Sequence, residues 1–226
     1  MGRPVERYHL AMHLTKLAIP LTLLLLVPHP LGRLVGATLV FLAGFALTHD
    51  LAHGALGLPP RLNDVALAAA ALTNLLPGHA MRRLHARHHA RPLADDDVEG
   101  EGARRSWWGA LCIGPRNALR YRLEGLTGTH GAERAWVIAE TALGLALAFA
   151  ALESHAPAAL TWLGACLFLQ ATMALWASHL PHRPPPLLVR LARHLTWTRS
   201  AVVASFLHHD AHHRRPWVPC GELGAP

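Results

Sequence analysis

The residues able to carry chemistry in this chain are its histidines. Eighteen occur in 226 residues, and most stand in four short groups. His49 and His53 lie in HDLAHG, and His85, His88 and His89 in HARHH. His182 lies in SHLPHRP. His209, His212 and His213 lie in HHDAHHRRPWVP, directly after His208. Spacings of three and four residues bring side chains onto one face of a helix, so each group can present its imidazoles together. Two histidines on one helix are commonly incidental. Two HxxHH groups, one HxxxH and an isolated histidine in a single chain point to metal coordination.

Donor chemistry narrows the metal. Imidazole suits iron, copper, nickel and zinc, whereas a single catalytic zinc takes about three protein ligands and a water. The candidates are His49, His53, His85, His88, His89, His182, His209, His212 and His213. They are too many for one zinc and about right for two six-coordinate ions that each keep a position open. Two iron ions (Fe2+/Fe3+) held mainly by histidine is the preferred reading. Acidic neighbours are available to orient the rings: Asp50 in the first group, Asp210 in the last, and Asp95, Asp96 and Asp97 after the second. Asp96, at the centre of that triplet, is the candidate there, and the triplet reads equally as a solvated loop. Cys112, Cys166 and Cys220 form no CxxC, which excludes an iron–sulfur or thiol-redox module. No glycine-rich phosphate loop or GxSxG elbow occurs. No catalytic side chain is singled out beyond the metal centre.

The elements that must position these groups are membrane spans. Apolar residues make up 52% of the chain and charged residues 15%, against roughly a quarter charged in an ordinary soluble domain. Apolar runs cover Leu14–Val27, Leu31–Leu47, Ala135–Leu152 and Ala158–Ser178. A span needs ~20 residues, which gives spans at about 10–27, 31–47, 135–152 and 158–178. The first run lacks a small-x-small cleavage site, so it reads as a span and not a signal peptide. Leu62–Leu76 is shorter, opens with Asn63 and Asp64, carries Asn74 and stops at Pro77. It reads as a helix that dips into the bilayer or lies on it.

Charge tests this topology. The formal net charge is +7. With four spans and the N-terminus in the cytoplasm, the outer loops 28–33 and 153–157 carry one cation, Arg33. The remaining cations lie inside or at the inner edge, as the positive-inside rule requires. A fifth crossing at 62–76 would place Arg82, Arg83, Arg87 and Arg91 outside. The fold class is therefore all-α: an integral membrane four-helix bundle of two hairpins, with a cytoplasmic histidine-rich cap and a short re-entrant or interfacial helix. Residues 1–226 form one domain, with both termini cytoplasmic. In this topology every histidine group lies on one side of the membrane. Because the cations sit between long apolar runs, nucleic-acid binding is excluded. The strong bias to Arg over Lys, with much Ala and Leu, suggests a bacterial chain and hence the inner membrane.

HDLAHG, HARHH and HHDAHH resemble the three histidine boxes of the membrane fatty acid desaturase superfamily, in order and spacing from about residue 40 to 220. Leu180–Pro184, Asp95–Asp97 and Pro216–Pro219, together with the short chain, resemble the carotenoid ketolase and hydroxylase branch. The resemblance implies that the nine histidines named above are the ligands. His179 and His208 match no ligand of the family and are left as supporting or spare residues. The family often has Glu directly before the last paired histidines, whereas this chain has Ala211, with Asp210 one step earlier.

The implied activity is O2-dependent oxidation of C–H bonds in a lipid chain, either acyl-lipid desaturation or carotenoid ketolation or hydroxylation. A separate electron donor of ferredoxin or cytochrome type is implied, because no haem, flavin or ferredoxin motif occurs in the chain. An acidic donor could dock on the Arg-rich inner face, although anionic lipid accounts for most of those arginines. Trp107 and Trp108, near Arg104, Arg105, Arg116, Arg120 and Arg122, suggest an interfacial segment. Trp217 reads as an interfacial anchor. Two other classes compete. A membrane zinc-dependent lipid hydrolase predicts one zinc and no need for oxygen. A metal carrier needs ionisable groups in its spans, which here read as almost purely apolar.

Overall fold

The computed structural model describes residues 4–223. Among them the chain forms α1 (Pro4–Leu26), α2 (Pro30–Ala52), α3 (Pro60–Leu72), α4 (Gly78–Ala90), α5 (Trp107–Gly128), α6 (Gly131–Ser154), α7 (Pro157–Ala171), α8 (Leu180–His182), α9 (Pro186–His194) and α10 (Ala201–Arg214). A π-helical segment, Ala174–His179, joins α7 to α8. No strand occurs among the described residues. Residues 1–3 and 224–226, which the single-domain reading and the placement of the termini include, lie outside the described residues.

Tyr8–Leu26, Pro30–Ala52 and Gly131–Ser154 are long and apolar enough to cross a membrane. A fourth crossing is available if α7 and Ala174–His182 act as one span, bent by 52°. The chain is thus all-helical with the composition of an integral membrane protein. α1 and α2 pack as an antiparallel pair, and α2 also packs on α7. Pro20 interrupts the hydrogen bonding of α1. Gly36 of α2 faces that break, where a Cβ would collide with the Leu24 backbone. Ile138, Leu145 and Phe149 of α6 are exposed, as a lipid-facing surface requires.

The fourth expected span, 158–178, is bent. α7 ends at Ala171, and the Thr172 hydroxyl bonds back to the Phe168 carbonyl. The Trp176 indole donates to the Leu169 carbonyl, which the bend frees. Two close approaches hold the bend in place. A Cβ at Gly114 of α5 would overlap the Ala171 carbonyl oxygen, and one at Gly102 the Ala174 carbonyl oxygen. Glycine at both positions lets α5 and its preceding loop touch bare backbone.

The segment read as dipping or interfacial is the first arm of a helical hairpin, α3 and α4. Thirteen residues make α3 about 20 Å long, too short for the ~30 Å hydrocarbon core. The tip, residues 73–77, inserts between α2 and α7. Asn74 Nδ2 donates to the Phe41 carbonyl midway along α2. Trp162 Nε1 donates to the Thr73 carbonyl, and Gln170 Nε2 to the Asn74 carbonyl. Gly44 makes room, since a Cβ there would strike Thr73 and Asn74. Irregular backbone at such depth is stable only when protein groups satisfy it.

The spans are also less purely apolar than expected. Glu140 of α6 is buried. Its two carboxylate oxygens accept from His79 of α4, from the backbone N–H at 3.1 Å and from Nδ1 at 2.6 Å. Trp136 stacks flat on the His79 ring. Asp64 of α3 lies 3.5 Å from His79 Nε2 and pairs with Arg82 at 2.6 Å. These groups pin the start of α4 to α3 and α6.

Candidate metal centre

Four elements bring their histidines to one place. His49 lies in the last turn of α2, and His53 follows as its C-cap. The second half of α4 carries His85, His88 and His89. α8 ends on His182, and α10 carries His209, His212 and His213. The turns that join α1 to α2 and α6 to α7 lie at the other end of the bundle.

The rings sort into two groups. His49, His53, His85 and His212 have ligating atoms within 4.8 Å of one another, and so have His88, His182, His209 and His213. His89 joins the first group, with its Nε2 3.1 Å from His85 Nε2 and 3.0 Å from His212 Nε2. The His89 and His213 rings stack at 4.4 Å and set the two groups side by side. α4 and α10 each supply rings to both groups, so neither group can move alone.

The donor set fits two cations. His85 Nε2 stands 3.0 Å from His49 Nε2. His209 Nε2 stands 3.2 Å from both His182 Nε2 and His213 Nε2. Two nitrogens bound at about 2.1 Å and at right angles on one ion are about 3.0 Å apart. The tautomers agree with this. His85 Nδ1–H donates to Glu99 at 2.6 Å, His88 Nδ1–H to Asp97 at 2.7 Å, and His182 Nδ1–H to the Ser178 carbonyl at 2.9 Å. Each of these bonds places the proton on Nδ1 and leaves an Nε2 lone pair facing the other rings. His53 Nε2 is buried with no hydrogen-bond partner. Facing lone pairs in a buried site suit a cation between them.

Burial keeps these rings uncharged. Loss of solvent, followed by repulsion among neighbouring imidazoles, holds His53 at about 2, His89 at about 3, His209 at about 2 and His213 at about 4. The same causes hold His85 and His212 well below the ordinary range. Neutral imidazole is the form that binds metal. His88 differs: against its burial, the Asp97 bond and the Glu99 charge raise it. Burial pushes the Glu99 carboxyl up to about 7, against the pull of the His88 charge and of the Tyr121 hydroxyl, which donates to it.

The acidic partners are placed differently from the sequence reading. Asp50 is buried, 3.4 Å from His49 Nδ1, and also receives His13 Nε2–H and the Cys220 N–H. Asp96 is corrected: it is exposed and pairs with Arg91, while the neighbouring Asp97 holds His88. Asp210 is exposed on α10 and touches no ring through a hydrogen bond. His179 is buried, 3.2 Å from the Gly102 carbonyl and outside both groups. His208 carries the non-helical backbone (φ −130°, ψ 27°) that breaks α10 just before His209. Sequence reasoning missed Glu99, His13, Cys220 and the Ser178 carbonyl. His9 and His13, four apart on α1, were the available signal for the α1 contacts.

An apolar cavity opens onto the groups. Its walls include Phe45, Met81, Trp176, Ala177, Val202 and Phe206, and it reaches His49, His85 and His212 of one group and His209 of the other. Glu99, Asn117 and Tyr121 are protic groups on its wall.

Residues 25–225 match the family described as fatty acid desaturase. The chain belongs to the fatty acid desaturase family. Membership implies an oxidoreductase, and the apolar helices place it among integral membrane proteins. No curated protein and no solved structure matches the chain.

Proposed function

We propose that this desaturase-family protein holds two iron ions and uses O2 and external electrons to oxidise C–H bonds of a lipid chain lying in the cavity. His49, His53, His85, His89 and His212 would hold one ion, and His88, His182, His209 and His213 the other. The single observation that carries this reading is the convergence of nine imidazoles in two groups, with an apolar cavity opening onto one or more rings of each. When bound, the iron pair supplies the oxidising power that no side chain has.

The chain's own residues do the rest. Phe45, Trp176, Val202 and Phe206 bind an alkyl chain by apolar contact and exclude water from its reacting carbon. Glu99 and Asp97 fix the His85 and His88 rings, and Asp50 backs His49. Tyr121 Oη holds a proton toward Glu99 Oε1 at 3.0 Å, on the wall of an otherwise apolar space. Electrons come from a separate ferredoxin- or cytochrome-type donor. The Leu180–Pro184 and Pro216–Pro219 stretches favour the carotenoid ketolase or hydroxylase branch over acyl-lipid desaturation.

The test has two parts. Purified protein is assayed for metal, with His88→Ala as control; two irons per chain are expected, and one zinc with no iron would overturn the reading. The chain is then expressed with a reductant system in carotene-producing cells and in ordinary cells. New oxygenated pigment in the first host supports the ketolase branch. New unsaturation in the second moves the substrate to acyl lipid.

A further inference from the structure

α9 and the turn after it present a surface that neither the metal groups nor the cavity uses. Along α9, Leu187 and Leu191 are one turn apart and 64% and 52% exposed, and Leu195 continues the stripe. Beyond them Trp197 is 79% exposed. The other edge of the helix carries Arg190, Arg193 and His194, all exposed, with Arg183 and Arg199 at either end. Ala192 is buried and seats the helix on the protein. The chain has no acidic residue between Glu153 and Asp210, so no carboxylate of this stretch neutralises these cations.

The depth of this surface is fixed by α1. Arg199 Nη1 donates to the Tyr8 hydroxyl at 2.8 Å. Tyr8 directly follows the charged Glu6 and Arg7 and precedes the apolar run of α1, and it is half-exposed, as suits a tyrosine at a membrane–water boundary. Lys16, two turns further into that span, reaches back to donate to the Arg199 carbonyl, as a snorkelling lysine does. Arg199, and with it the end of the segment 186–199, therefore lies level with the end of a span, within the headgroup layer.

We propose that residues 186–199 are seated on an anionic phospholipid surface. Leu187, Leu191, Leu195 and Trp197 enter the acyl boundary, and Arg183, Arg190, Arg193 and Arg199 bind headgroup phosphates. Amphipathic helices that combine an apolar stripe with a cationic edge bind bilayers in this way. Lipid is favoured over a soluble partner because the Tyr8 and Lys16 contacts hold Arg199, at the end of the stripe, at bilayer depth. α10, which follows directly, lines the cavity with Ala201, Val202, Ser205 and Phe206, so the lipid seat also anchors one cavity wall.

The test uses the full chain in vesicles of phosphatidylcholine, with and without phosphatidylglycerol, containing lipids brominated near the headgroup end of the chain. The fluorescence lost in wild type but not in Trp197→Phe reports the contact of Trp197 with lipid. Phosphatidylglycerol is expected to raise that quenching several-fold, and high salt to reverse the rise. In Arg190→Gln/Arg193→Gln most of the rise with phosphatidylglycerol is expected to be lost, since two of the cations that bind headgroup phosphates are removed. Leu187→Gln/Leu191→Gln is expected to lower quenching in both lipids. Equal wild-type quenching in both lipids, or a rise that survives salt, would overturn the anionic seat. Absence of quenching in both would mean that a protein or a second copy covers the face, and would equally overturn it. The wild-type comparison across lipids and salt stands even if a variant fails to fold.

Discussion

Glu140→Gln removes the charge of a carboxylate that sits inside α6 and accepts two N–H groups of His79. A glutamine offers one oxygen to those two donors and turns its NH2 toward the other. Hydrogen bonds to charged groups contribute about 1.5–3 kcal/mol each, and breaking a buried charged pair by removing one partner costs about 3–5 kcal/mol. His79 is fully buried and Glu140 is 3% exposed, so little solvent compensates. The expected loss is about 3 kcal/mol. At roughly 2–4 °C per kcal/mol for a chain of this size, Tm in detergent should fall by about 6–12 °C. Pairing His79→Phe with Glu140→Leu removes the ring and the carboxylate together, leaving the residue-79 backbone N–H as the one unpaired donor, and this double variant should recover part of the loss. A single Glu140→Gln cost below about 1 kcal/mol, or a double variant no better than either single one, would refute the argument that these two residues form one buried unit.

Asp97→Ala should weaken iron retention by the four-histidine group about 10–100-fold, measured by chelator competition, while Asp96→Ala leaves it unchanged; equal effects would undo the assignment of Asp97 to His88. Gly114→Ala should force α5 away from the Ala171 carbonyl and lower stability by about 1–3 kcal/mol, in the range of overpacked cores, read as a lower Tm and a narrower cavity. Glu101 is held below the ordinary carboxylate range: burial raises it, but Arg105, Arg120 and Arg116 pull it down further. Its contribution is therefore present above the unfolded value of about 4.3 and lost as pH falls through the lower folded value. The stability gap between wild type and Glu101→Gln should be constant from neutral pH to about pH 5 and close below about pH 4, as followed by denaturant unfolding.

The histidine groups were legible because their chemistry is written at helical spacing. His85, His88 and His89 lie on one helix, and a three- or four-residue step fixes their common face whatever the tertiary structure. The partition into two groups was not legible, because His89 meets His85 on its own helix but His212 from 123 residues away. Asp96 and Asp97 are indistinguishable by composition, and loop geometry alone turns Asp97 inward. Glu99 likewise reaches His85 through a loop with no periodicity. The bend in the fourth span escaped hydropathy, since Ala171–Ser178 is as apolar on one side of a break as on the other. The close packing that accommodates it comes from Gly102 and Gly114, far away in sequence. Glu140 escaped because one carboxylate in a long apolar run barely alters its average. The hairpin of α3 and α4 was partly legible: Asn63, Asp64, Asn74 and Pro77 marked it as no ordinary span, but not as a wedge reaching Phe41.

The carbonyls at the hairpin tip are capped by Trp162 and Gln170, which the ribosome makes about ninety residues after Thr73 and Asn74. Until those side chains emerge, the tip has no substitute for water. Nascent chain cannot leave such groups bare in oil. The wedge must therefore linger at a wet boundary during translation and slide home only once the last crossing is made, which makes the order of assembly a property of two hydrogen-bonding side chains.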